Sequence, residues 1–275
     1  MDKIKLAAVQ MVSGYDYPSN WARMQALVEE AASRGAELVV LPEYWPIFGR
    51  TDQDKLALAE PFGSGPIQSA LSQLAQRLGI VLMAGSIPLQ SKSSAHVLNT
   101  LLTYDASGAL VGRYDKVHLF GFSGLGERYE EADTILPGTK TPELSLFEGQ
   151  LKVAQGICYD LRFPEFFRVQ VPFDLLVLPA AFTYTTGKAH WEILLRARAI
   201  ENQCYVLASA QGGTHQNGRR TFGHSLLIDP WGEVVDVLPE GEGLVMGTMS
   251  MKQLQSIRTR LPALKHQTLS LASLK

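Results

Sequence analysis

Two short unbroken apolar runs constrain this chain more than any other feature: Leu38-Val-Val-Leu41 and Leu175-Leu-Val-Leu178. Each is too short for a helix, and each ends on a proline, Pro42 or Pro179. A short apolar run bounded by turn signals reads as a strand buried on both faces, and such a strand needs a covering layer on each side. The wider frames, Gly35-Ala-Glu-Leu-Val-Val-Leu-Pro42 and Val171-Pro-Phe-Asp-Leu-Leu-Val-Leu-Pro179, repeat each other in style. They point either to two related α/β halves whose sheets pack together or to a chance likeness between buried strands.

The rest of the chain alternates strand and helix patterns, which defines the α/β class. Residues 4–9 read as a first strand. Over 21–34, Trp21, Met24, Leu27, Val28 and Ala31 share a helical face that Gly35 stops. Residues 66–78 predict a second amphipathic helix and 80–87 a strand. Residues 97–104 and 109–114 flank Asp105-Ala-Ser-Gly108, a hairpin signal, so the sheets should be mixed. In the second half, strands are predicted over 151–157, 175–178, 205–210, 225–229 and 234–237. Helices are predicted over 165–171 and 190–203. The stretch after Ser250 is less periodic and reads as a tail lying on a neighbouring element or a partner subunit. No composition break marks a second domain, so residues 1–275 are expected to form one domain, with a core of about residues 4–250 and a tail over 251–275.

Composition excludes several classes. Basic side chains number 25 and acidic ones 27, so the basic excess of a nucleic-acid binder is missing. Arg219–Arg220 and the Arg258/Arg260 pair are too narrow for a phosphate track and read as solvated or locally paired. Two cysteines, Cys158 and Cys204, make neither a disulfide framework nor a metal site. The short apolar run at the N-terminus reads as a strand and not as a signal peptide, and no stretch reaches membrane-spanning length. A cytoplasmic protein with available thiols is the expectation. No His-x-x-x-His pair, phosphate loop or dinucleotide fingerprint appears, so neither a metal nor a cofactor is expected.

Cys158 directly follows a predicted strand and precedes the polar run Tyr159-Asp-Leu-Arg162, which places it at the strand-end rim where α/β proteins bind ligands. Cys204, in Asn202-Gln-Cys-Tyr-Val206, reads as a packed hydrophobe. A reactive thiol needs a nearby base or cation, and a low thiol pKa is expected for Cys158. Glu43 ends the first buried strand among Tyr44, Trp45, Pro46 and Phe48, where desolvation would raise its pKa toward proton-shuttling range. A capping or surface carboxylate is the alternative. Lys116, after the hairpin, suits a site of developing negative charge or else a solvated strand edge. His118 is the rival general base. Asn99, His190 and Glu192 are further polar groups in ordered regions.

Together, Leu41-Pro-Glu43, Tyr114-Asp-Lys-Val-His-Leu119 and Gly156-Ile-Cys-Tyr-Asp-Leu-Arg-Phe-Pro-Glu165 resemble the Glu-Lys-Cys blocks of the nitrilase superfamily of carbon–nitrogen hydrolases. The resemblance covers nearly the whole chain and implies a four-layer α-β-β-α sandwich, usually as a homodimer or larger assembly. It also implies a cysteine-dependent amidase, with Glu43 as base, Lys116 as charge stabiliser and Cys158 as nucleophile. A second glutamate is implied near the lysine. Glu131 is the best match, with Glu127 and Glu130 as rivals, because Gly121-Phe-Ser-Gly-Leu-Gly126 departs from the usual acidic loop.

Residues 181–191 with 195–205, and Gly223-His-Ser with Asp229-Pro-Trp-Gly232, are similar to the Nit branch. That branch holds amidases acting on deaminated glutathione or on small ω-amides such as 2-oxoglutaramate and 2-oxosuccinamate. N-carbamoyl amino acid hydrolases share the triad and stay open as alternatives. On this resemblance Arg162 is the expected clamp for a substrate carboxylate, an ion pair with Asp160 or Glu165 being its alternative. Tyr159 offers its backbone N–H to the oxyanion, and Tyr44, Phe182, Thr186 and His190 line the pocket. The expected partner is a small-molecule amide, with no nucleic acid and no membrane.

Overall fold

The computed structural model describes residues 2–124 and 127–269. In chain order its strands and helices are β1 (Lys3–Gln10), α1 (Tyr17–Ser33), β2 (Leu38–Val40), α2 (Asp54–Ala57), α3 (Pro66–Leu78), β3 (Val81–Met83), β4 (Ile87–Gln90), β5 (Val97–Tyr104), β6 (Leu110–Asp115), β7 (Gly121–Gly124) and β8 (Glu127–Glu130). There follow β9 (Leu144–Leu146), β10 (Leu151–Gln155), α4 (Pro164–Arg168), β11 (Leu175–Ala180), α5 (Tyr184–Asn202), β12 (Tyr205–Ala210), β13 (Ser225–Ile228), β14 (Val234–Leu238), β15 (Gly243–Ser250) and α6 (Met251–Arg260).

Alternation along the strands decides which layer each side chain enters. In β1, Ile4, Leu6 and Ala8 point into the space between two sheets, whereas Ala7 and Val9 point out toward α1 and α3. Val39 of β2 and Leu82 of β3 do the same, packing with Met24 and Val28 of α1 and with Leu71 and Leu74 of α3. Trp191, Leu195 and Ala199 of α5 join the cluster of the second sheet. The result is a helix–sheet–sheet–helix sandwich. The helices are set locally: Asp16 accepts from Ser19 N at 2.9 Å at the start of α1, a cap worth about 1 kcal/mol.

The first sheet runs β15-β1-β2-β3-β5-β4, with β6 also on β5; the second runs β14-β13-β12-β11-β10-β9. Each is antiparallel at its margins and holds a parallel trio, β1-β2-β3 in one and β10-β11-β12 in the other. The two apolar runs that end in Leu-Pro are the middle strands of these trios, so the echo in the sequence is an echo of topology. Met11, just past β1, bridges Gln211, just past β12, so the sheets meet at the carboxyl ends of their parallel strands.

Several expectations need correction. The strand predicted over 80–87 is two strands, because Gly85 turns the chain at φ +60°. A Cβ there would stand 2.2 Å from the carbonyl oxygen of Pro42, so only glycine lets the two segments touch. The helix predicted from His190 begins six residues earlier, at Tyr184, after the Thr183 cap. β15 lies beside β1 in an eight-residue antiparallel ladder with no clear alternation to announce it. Past Ser250, α6 buries Leu254 and Ile257, and Arg258 bonds Asp174 at 2.9 Å and the Gln203 carbonyl at 3.0 Å. Residues 270–275 lie outside the described residues. No helix among the described residues is long and apolar enough to cross a membrane.

Candidate active site

Glu43 leaves the end of β2 and is 1% exposed. Its backbone is pinned on both sides: Gln211 Nε2 donates to its carbonyl at 3.1 Å, and the next amide, of Tyr44, donates to Ser86 Oγ at 3.1 Å. Asn99 of β5 donates from Nδ2 to Glu43 Oε1 at 2.9 Å, and Lys116 Nζ donates to the same oxygen at 2.9 Å. Lys116 follows β6, its amide held by the Asn99 carbonyl and its carbonyl by Gly138 N at 2.8 Å. A Cβ on Gly138 would sit 2.1 Å from the Asp115 carbonyl oxygen, so this clasp also needs glycine.

Lys116 Nζ reaches Glu131 as well, at 2.8 Å. Tyr44 OH donates to Glu131 Oε1 at 2.7 Å and Phe120 N to Oε2 at 2.8 Å. Of the rival glutamates, Glu130 lines the pocket mouth, and the side chain of Glu127 lies outside the described residues. Lys116 is therefore gripped by two carboxylates, the buried Glu43 and the half-buried Glu131.

Cys158 begins the 3-10 turn Cys158–Arg162 with φ +49°, a left-handed backbone that a non-glycine residue adopts only under restraint. The restraint is Asp160, which is fully buried. It accepts from Ile157 N at 2.8 Å, Tyr114 OH at 2.6 Å and both His118 N and Nδ1, at 3.1 and 2.7 Å. His118, the rival base, is thus committed to Asp160 and stacks on Phe163 at 3.8 Å.

Burial lifts the pKa of Glu43, and the Glu131 charge adds to that against the pull of Lys116. Burial acts on Glu131 too, but the Lys116 charge and the bonds from Lys116, Phe120 and Tyr44 outweigh it and hold Glu131 below the usual carboxylate range. Burial alone would discharge Lys116, yet Glu131 and Glu43 keep it protonated. Two carboxylates whose environments drive their acidities apart divide the work: one stays an anion, the other can carry a proton.

The expected low pKa of Cys158 is not found. Burial, then the Glu43 charge, pushes the thiol well up, with Lys116 opposing. The thiol therefore rests protonated beside a carboxylate, and its proton moves during attack. Burial also pushes up the pKa of Cys204, which packs against the Arg198 carbonyl.

Around Cys158 the cavity has two parts. The larger is lined by residues including Tyr44, Lys55, Tyr129, Thr183, Arg219 and Arg220; the smaller by Tyr159, Arg162, Phe182 and Thr186. Arg162 makes no ion pair among the described residues, and its Nη1 lies 3.2 Å from His190 Nδ1. His190 itself is exposed and reaches the site only through that contact. Arg219 and Arg220, which read as surface charges in the sequence, line the cavity, as does Lys55, and Gln211 holds the Glu43 backbone; no sequence motif marks the last two. The one available signal was the paired arginine, and its ion-pair partners, Asp52 and Glu240, lie too far along the chain to be guessed.

Fold and site together define a hydrolase that works through a cysteine, in a four-layer sandwich. The family model for carbon-nitrogen hydrolases matches residues 5–259. A deaminated glutathione amidase of Yersinia enterocolitica is 37% identical over 272 residues, covering 97% of this chain and 93% of that one. An omega-amidase of Danio rerio is 36% identical over 276 residues, covering 97% and 95%. The crystal structure of Nit3 from Saccharomyces cerevisiae, a member of the nitrilase superfamily, superposes with a TM-score of 0.87 at 29% identity, covering 98% of this chain and 97% of that one. The chain belongs to the carbon–nitrogen hydrolase family, in the Nit branch of the nitrilase superfamily.

Proposed function

We propose that this chain hydrolyses the 2-oxoglutaramyl amide bond of deaminated glutathione to 2-oxoglutarate and cysteinylglycine, through a thioester on Cys158. The reading rests above all on one observation: Lys116 bridges the Glu43 and Glu131 carboxylates, at 2.9 and 2.8 Å, in the cavity that Cys158 lines. As Cys158 Sγ attacks the amide carbonyl, Glu43 takes the thiol proton. The charge that grows on oxygen is met by Lys116 and by the Tyr159 N–H, in the first turn of a helix where amides lack internal partners. Protonated Glu43 passes its proton to the leaving amine. A water, deprotonated by Glu43, then cleaves the thioester and frees the acid. Glu131 keeps Lys116 charged and fixed throughout. Arg162, facing the smaller part of the cavity and free of an ion pair, binds the carboxylate of the acyl chain by two parallel bonds.

The names of the relatives support this substrate class, and the wider part of the cavity beside Cys158 leaves room for a leaving amine larger than ammonia. The test is release of 2-oxoglutarate from deaminated glutathione and from 2-oxoglutaramate, measured side by side. A clear preference for deaminated glutathione is expected. A preference for 2-oxoglutaramate moves the assignment to ω-amide hydrolysis, and inertness toward both overturns it. An Arg162→Ala variant should show a large rise in KM, and unchanged steady-state kinetics would remove the clamp.

A further inference from the structure

Cys158 stands where a wider and a narrower chamber meet. Both carry cations. In the narrow chamber the cation is Arg162, already given to the acyl carboxylate. In the wide one, among the described residues, there are three, and two of them are engaged. Arg219 is bound by Asp52 through two bonds of 2.9 and 3.1 Å, and Arg220 is paired with Glu240 at 3.0 Å and lies 3.7 Å over the Tyr184 ring.

Lys55 differs. It sits on the short helix α2, is 9% exposed and lines the wide chamber. Its ammonium lies 5.2 Å over the Tyr44 ring, and among the described residues it has neither an ion pair nor a hydrogen-bond acceptor. A buried ammonium with no anion bonded to it is an expensive arrangement. Burial accordingly lowers its pKa, although Asp52 and Glu131 act from a distance to restore it. Such a group is poised for an anion that arrives with the substrate.

Resting on the reading of Cys158 and Arg162 above, we propose that Lys55 binds a carboxylate carried by the leaving amine. The preferred substrate is then an amide with an anionic group on each side of the scissile bond. The narrow chamber takes the short acyl chain with its carboxylate on Arg162. The wide chamber takes the amine, its terminal carboxylate on Lys55, with Tyr44 beneath the ammonium. Lys55 is a specificity residue for the amine half and has no part in the acyl half.

Three 2-oxoglutaramyl substrates separate these roles: one releasing cysteinylglycine, one releasing cysteinylglycinamide, and 2-oxoglutaramate, which releases ammonia. In the wild type, replacing the terminal carboxylate by a carboxamide should lower kcat/KM roughly 10- to 150-fold, the scale of a hydrogen bond to a charged partner. Lys55→Met should erase that difference by lowering only the first substrate, should leave kcat/KM for 2-oxoglutaramate within about threefold, and should keep the melting temperature. Lys55→Arg should restore part of the preference. A Lys55→Met variant that lowers all three substrates alike, or none, overturns the assignment while leaving the reading of the site intact. A wild type that cleaves none of the three overturns that reading and this inference with it.

Discussion

Replacing Glu43 with glutamine removes the proposed base while disturbing the fewest contacts. Glu43 Oε1 accepts from both Asn99 Nδ2 and Lys116 Nζ, at 2.9 Å each. A glutamine can keep an oxygen there and satisfy both donors. Lys116 retains Glu131 at 2.8 Å, so its ammonium is not stranded. Burial already disfavours the charged form of Glu43, so a neutral isostere costs little. The stability change should stay under about 2 kcal/mol, a few degrees in Tm for a chain of this size. The chemistry is another matter, because an amide cannot hold the thiol proton. General-base catalysis contributes about 10² to 10⁴-fold, and Glu43 serves in both half-reactions. We expect kcat/KM to fall by about 10³-fold or more, ~4 kcal/mol in the barrier. Release of 2-oxoglutarate gives the rate, calorimetry gives Tm, and intact mass shows whether acyl-enzyme forms. Retention of more than about a tenth of wild-type turnover by a folded variant would refute the assignment of the base.

Other outcomes follow from the same geometry. Glu43 must be ionised to act, and its pKa is raised, so kcat/KM should fall as pH drops through a midpoint above the ordinary glutamate value of 4.5; a midpoint at or below 4.5 would contradict the burial argument. Burial brings the His215 pKa down to about 4 from 6.5, with Nδ1 donating to the Ser13 carbonyl and the ring stacked on Phe48. The unfolded chain therefore binds this proton more readily, so the stability contribution of His215 is full above pH 6.5 and is lost as pH falls through 4. Denaturant melts across that window should show a loss on the order of 3 kcal/mol that His215→Asn largely removes. Asp160→Ala strips four donors of their acceptor and should cost roughly 3–5 kcal/mol together with most activity, read by melting and turnover. Iodoacetamide should label Cys158 before Cys204 because only Cys158 lines the cavity; since its pKa is raised, labelling should accelerate steadily above neutral pH with no plateau near it.

Much of this was legible in the chain. Unbroken apolar runs report burial on both faces, so the central strands β2 and β11 and their covering helices could be read directly. Strands that carry no such run could not: β15 is an ordinary mixed segment whose place beside β1 is fixed by contacts some 240 residues apart. Glu43, Lys116 and Cys158 stand out in the sequence because each follows a strand end and because their blocks resemble a known family. The acidity of Cys158 differs from the sequence expectation because position in sequence says nothing of desolvation. Lys55 is not legible in the sequence because only the folded chain encloses its ammonium with no ion-pair partner among the described residues.

Glu43, Asn99 and Lys116 come from the first sheet, and Cys158 and Gln211 from the second; the bridge between Met11 and Gln211 joins the two at their rims. Neither half owns a working centre. While the sheets are apart, as in a nascent or partly unfolded chain, the sulfur has no proton acceptor and the carboxylate has no sulfur. Amide cleavage therefore reports on the docked state alone, and a truncated or misassembled copy is chemically silent.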